Sequence, residues 1–130
     1  MTEKEFKDRT RKLALAIIKL VEELPRTRTA DVLGKQLLRS GTSVGVNYRA
    51  ACRGLSTADV LAKLGDVEEE ADESIYWMEL LVESGAVSES RITIEMKEME
   101  EILRMTVASI KTLRLRLRQS KIQNPQSKMV

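Results

Sequence analysis

Apolar residues recur along most of the chain at intervals of three and four, and three short polar breaks divide them into four runs. In the first run Phe6, Leu13, Ile17, Leu20 and Leu24 are spaced to share one face of a helix. Pro25 stops that run, since it cannot supply the backbone N–H a helix interior needs. Thr29 then reads as the N-cap of a second helix starting near residue 30, with Asp31 suited to its positive end.

The second run mixes Leu37, Leu38, Val44 and Val46 with Gly34, Ser40, Gly41, Ser43, Gly45, Ala50 and Ala51. Each interior glycine costs about 0.5–1 kcal/mol relative to alanine, so packing must compensate for poor propensity. Gly41 and Gly45 lie one turn apart and would admit a close neighbouring helix; a ligand approach or a kink are the other readings. Gly54 is placed to end this helix. Ser56 to Asp59 resembles a capping box with Asp in place of Glu.

In the third run Val60, Leu64, Val67, Ala71, Ile75, Met78 and Val82 form the stripe, flanked by Tyr76 and Trp77 and closed by Gly85. In the fourth, Ile92, Met96, Met99, Leu103, Thr106, Ile110, Leu113 and Leu117 alternate steps of four and three. That period predicts near-parallel bundle packing. The alternating TLRLRLR segment is assigned to the same helix, because Leu113 and Leu117 continue its stripe and an isolated edge strand would have no partner.

Short connections make successive helices antiparallel. The expected fold is all-α, an up-down-up-down four-helix bundle over residues 1–119, with a flexible polar tail at 120–130. Further apolar positions (Leu15, Ile18, Leu38, Val46, Leu61, Leu80, Leu81, Ile102 and Met105) exceed what one seam requires and imply contacts between subunits.

Composition narrows the chemistry. With 130 residues, 42% hydrophobic and 32% charged, the chain fits one globular domain. No run approaches the roughly 18 apolar residues of a membrane span, and the N-terminus lacks the apolar core of a secretion signal. A cytoplasmic protein without membrane association is expected. The single cysteine, Cys52, cannot form an internal disulfide and reads as a helix-packing residue or a reactive thiol. Histidine is absent, which removes Ser-His and Cys-His dyads, Cys/His zinc sites and Glu-x-x-His di-iron pairs. The expectation is no enzyme and no cofactor.

The net charge of +2 hides a segregation along the chain. Residues 1–65 carry 13 Lys and Arg against 7 Asp and Glu, residues 66–101 carry 2 against 13, and residues 102–130 carry 7 against none. Partners therefore meet local fields rather than the average.

Three constellations are candidates for function. Asp66, Glu68, Glu69, Glu70, Asp72 and Glu73 invite a metal reading, weighed against a solvated face or inter-subunit ion pairs. Gln36, Asn47 and Tyr48 suggest a buried hydrogen-bond network or a pocket. Lys97, Arg104, Lys111 and Arg118 recur every seventh residue with Arg114 beside them, a basic stripe of about 30 Å that suits a phosphate backbone. The stripe also reads as a soluble face or as partners for acidic residues, Glu100 and Glu101 among them. Aromatic residues are too few for a base-stacking platform, so sequence-specific recognition is not expected.

The segments LGKQLLRSGTSVGVNY and KLGDVEEEADESIYWMELL are similar to those of small four-helix-bundle proteins encoded by intervening sequences within 23S rRNA genes. The resemblance covers about Leu24 to Leu117. Gln36, Leu37, Arg39, Ser40, Ser43, Gly45, Asn47 and Tyr48 fall on the family's helix-two signature. Lys63, Leu64, Glu69, Ala71, Glu73, Tyr76, Trp77, Leu80 and Leu81 fall on its helix-three signature. Arg49-Ala50-Ala51 departs from it, since similar sequences carry an acidic residue before alanine. The resemblance implies a ring-like homo-oligomer, a pentamer, with no established catalysis. A more distant fold analogy points to the accessory subunits of diversity-generating retroelements, basic pentamers that engage nucleic acid and a reverse transcriptase. The resulting expectation is a non-enzymatic homo-oligomer that binds RNA or another structured nucleic acid. The alternative is a scaffold that recruits a protein partner and has no nucleic-acid role.

Overall fold

The computed structural model describes residues 1–123 and contains four helices: α1 (Glu3–Glu22), α2 (Arg28–Cys52), α3 (Thr57–Glu83) and α4 (Glu89–Gln123). Each packs against its neighbours in a closed square, α1 on α2, α2 on α3, α3 on α4 and α4 back on α1, the antiparallel bundle expected. The core is built from residues such as Ile17, Leu37, Val67, Met78, Met99 and Ile102, all fully buried. Each such side chain contributes about 1.5–3 kcal/mol of hydrophobic stabilisation. The TLRLRLR segment is helical, as its seam predicts.

The caps are largely those the residues suggest. Ser56 Oγ accepts the Asp59 N–H at 3.1 Å. Gly85, at φ +81°, ends α3 in a Schellman motif: Ala86 N–H donates to the Leu81 carbonyl and Gly85 N–H to the Val82 carbonyl. At α2 the cap is Thr27, whose hydroxyl accepts the Ala30 N–H at 3.1 Å, so the helix starts two residues before the expected position and Thr29 lies inside its first turn. RTRT offers two equivalent threonines, and local sequence does not choose between them.

The glycines of α2 are occupied by α1. A Cβ on Gly41 would lie 2.7 Å from Ile17 Cδ1, and one on Gly45 3.2 Å from Thr10 Oγ1. Close helix approach is therefore their role, and α2 continues unbroken through both.

The seam of α4 differs from the expected one at two positions. Ile92, Met99, Thr106 and Ile110 are buried as expected, but Glu95 and Ile102 are buried where Met96 and Leu103 stand in the sequence pattern; the latter two are half-buried. The inward face is thus rotated from the expected stripe toward Glu95 and Ile102. Leu81 and Ile102, assigned above to a surplus, belong to the core, whereas Leu15, Ile18 and Val46 are exposed. Helix α4 runs to Gln123, past the expected boundary at 119, and residues 124–130 of the expected tail lie outside the described residues.

Candidate nucleic-acid interface

Helix α4 has 35 residues and α3 has 27, and the tight Gly85 turn brings one end of each together. The excess of α4, about 12 Å, therefore projects at the opposite end of the bundle. This overhang is where the basic residues concentrate.

All five candidates, Lys97, Arg104, Lys111, Arg114 and Arg118, are exposed on α4. Their surroundings differ. Arg104 is held by Glu101 at 2.6 Å, as the neighbouring carboxylates foretold. Lys97 lies on the lip of a groove between α3 and α4 that also carries Glu79, Glu83, Glu89 and Glu100. Lys111, Arg114 and Arg118 form no ion pair with any described residue. Arg116 and Lys121, absent from the sequence-derived set, are exposed on the same segment. A straight helix drifts about 20° per heptad, so residues seven apart make a slanting band, and its distal half carries the unneutralised charge.

Among the signature residues, Arg39, Ser40 and Tyr48 make polar or aromatic contacts to another helix. Arg39 spans from α2 to α3, reaching Glu70 at 3.3 Å and Glu73 at 3.2 Å. Gln36 Oε1 accepts from Arg39 Nε at 3.5 Å. Ser43 donates to the Arg39 carbonyl at 2.7 Å and Asn47 to the Ser43 carbonyl at 3.0 Å. Tyr48 packs on Phe6 with ring centroids 4.3 Å apart, and Tyr76 meets Trp77 edge-on at 5.2 Å. The expected buried network of Gln36, Asn47 and Tyr48 is thus not formed: the first two bond within α2, and Tyr48 serves through its ring. The buried polar bond between helices is instead Ser74 to Ser40, at 2.8 Å, a pair with no periodic signal in the sequence.

The acidic segment of α3 is partly internal pairing. Burial pushes the Glu70 carboxyl above its ordinary value, while Arg39 pulls it down. No cluster of three metal-ligating side chains occurs among the described residues. Burial likewise raises the Cys52 thiol, keeping it protonated and disfavouring the thiolate a nucleophile needs. Glu95 sits in the α4 seam with one oxygen paired to Arg91 at 2.7 Å and the other, Oε2, buried without a partner; Trp77 Nε1 is similarly unpartnered. No described helix is long and apolar enough to cross a membrane.

No curated protein is similar enough to this chain to count as a match. Among solved structures, a protein of unknown function from the S23 ribosomal protein family of Bacteroides thetaiotaomicron is 33% identical. The alignment covers 85% of this chain and 99% of that one, with a TM-score of 0.79. The sequence profile described as 23S rRNA-intervening sequence protein matches residues 2–108, reaching further toward the N-terminus than the resemblance noted above and stopping before the overhang of α4. With the profile spanning most of the four-helix core and the solved relative sharing its fold, the chain belongs to the 23S rRNA-intervening sequence protein family.

Proposed function

We propose that this protein is a non-enzymatic, cytoplasmic homo-oligomeric bundle that binds RNA or another structured nucleic acid through the distal part of α4. The observation that carries the reading is the band of Lys111, Arg114 and Arg118, exposed and without a carboxylate partner among the described residues. Cations so placed exchange condensed counterions for phosphates, and repetition in an oligomer, a pentamer by family resemblance, multiplies their effect. The ribosomal family of the solved relative favours RNA over DNA as the target.

Titrating mixed RNA and mixed DNA at several salt concentrations tests this. Binding that weakens steeply with salt is expected; no binding at low salt, or binding indifferent to salt, refutes it. A second reading, a protein-recruiting scaffold, draws on the exposed Leu15, Val46 and Ile94. Native pull-down before and after nuclease separates the two: partners lost on nuclease treatment support the first, partners retained support the second.

A further inference from the structure

We infer that the cavity at the overhang end of the bundle is a binding site for a small organic carboxylate with an apolar body. Such a site needs neither an oligomer nor nucleic acid, and it uses none of the three cations assigned to nucleic acid above.

The cavity exists because the helices end at different heights. Helix α1 begins at Glu3 while α4 runs on to Gln123, so only the first turn of α1 is present to close this end of the bundle. The space left, about 590 Å3, is lined by residues from all four helices. It falls within the roughly 300–1,000 Å3 usual for small-ligand sites. Its back wall is apolar. Ala51, Leu64 and Ile110 form a small buried cluster with Tyr48, Val60 and Leu113 packed on it, and all of these except Ile110 border the cavity. The Tyr48 ring is fixed in place by Phe6, 4.3 Å away between centroids.

The α4 wall is polar. Ser109, Thr112 and Arg116 line it, and their spacing of three and four puts them on one face of the helix. Ser43, Ser74, Thr93 and Thr106 each donate to a carbonyl one turn back in their own helix, at 2.7 or 2.8 Å. Ser109 and Thr112 make no hydrogen bond through their side chains among the described residues. Arg116 likewise forms no ion pair with any described residue.

Glu3 and Arg116 are the charged residues of the lining. Lys7 Nζ stands 3.2 Å from the Glu3 carboxylate, so the charge left uncompensated is the guanidinium. Burial pushes both the Tyr48 phenol and the Cys52 thiol above their ordinary values, so neither adds a negative charge. An apolar wall, two hydroxyls free to donate and one guanidinium together match a carboxylate joined to an apolar group. The guanidinium forks onto the two carboxylate oxygens, the hydroxyls donate to the remaining lone pairs, and the hydrocarbon covers Val60, Leu64 and Leu113. An ammonium would meet Arg116 as a like charge, and an uncharged analogue would leave the guanidinium unpaired.

Three probes of one shape, 4-phenylbutyrate, 4-phenylbutanol and 4-phenylbutylamine, test this, with affinity and position read from amide and methyl NMR shifts. Phenylbutyrate is expected to bind about tenfold or more tighter than the other two, with shifts centred on Val60, Leu64, Ser109 and Leu113. Arg116→Gln, at an exposed position, should keep wild-type helicity and reduce phenylbutyrate affinity to that of the alcohol. Ala108→Phe, which fills the cavity from an exposed lining position, should weaken binding of all three. Absence of phenylbutyrate binding at millimolar concentration, equal or tighter binding of the alcohol or amine, or shifts centred elsewhere overturns the inference. So does a preference for the acid that survives in Arg116→Gln, or affinity unchanged in Ala108→Phe.

Discussion

The two halves of α4 share one heptad pattern and have opposite fates. From Ile92 to Thr106 the inward positions pack against the other helices, Glu95 within the seam pairs with Arg91, and outside the seam Glu98 and Glu101 pair with Arg9 and Arg104. From Val107 to Lys121 only Ile110 is buried; Leu113 and Leu117 are half-buried, and every charge in that span is positive. A heptad therefore specifies a helix and its seam, while the lengths of the neighbouring helices decide whether that seam is used. The proximal half is a structural member. The distal half meets its own chain through Ile110 and Leu113, which pack with Ala51 and Leu64, and its remaining face is cationic.

The contrast is sharpest under truncation of the seam. Ile102→Ala, at a fully buried position, is expected to cost about 2–5 kcal/mol in denaturant unfolding, whereas Leu117→Ala should cost less than about 1 kcal/mol. Equal losses would mean that the distal seam is packed as tightly as the proximal one.

A smaller effect tests the carboxylate inside the proximal seam. Arg91→Ala strips Glu95 of its ion-pair partner and should destabilise by about 1–3 kcal/mol. Glu95→Leu, which removes the buried charge instead, should be neutral or stabilising in the same assay. If Glu95→Leu proves the more damaging of the two, the seam depends on that charge and the distinction between the halves weakens.

Smaller again is the turn that fixes where α4 begins. Gly85→Ala forces a Cβ onto a left-handed residue and should cost about 1 kcal/mol in thermal or denaturant unfolding, without altering helical content. A change in helical content would show that this turn sets the register of α4 as well as its entry.

Much of this was legible in the sequence, because each feature has a local cause. The four runs, the stop at Pro25, the Ser56 cap and the Gly85 terminus follow from spacing and from backbone restrictions on single residue types. The small residues at Gly41 and Gly45 signalled a close helix contact and received one from Ile17 and Thr10. What escaped depends on residues distant in sequence. Glu95 had no place in the expected stripe, and its burial follows from an inward face that lies one residue before Met96 and Leu103. The Ser40–Ser74 bond needs the relative height of α2 and α3, which neither helix encodes alone. Gln36 and Asn47 satisfied themselves within their own helix, so no network formed. The basic stripe was visible as a repeat and Glu101 as a partner for Arg104, but the placing of Lys97 on an acidic groove required the approach of α3 to α4.

The most direct test of a nucleic-acid role for the distal half is the salt dependence of RNA binding in three proteins: wild type, Lys111→Gln/Arg118→Gln and Arg104→Gln. All three should unfold within about 0.5 kcal/mol of one another, since these side chains are exposed. Between about 50 and 200 mM salt, the distal double variant should bind more weakly with a slope of log affinity against log salt shallower by about 2, while Arg104→Gln retains the wild-type slope. Identical slopes in all three, or a loss confined to Arg104→Gln, would contradict the account.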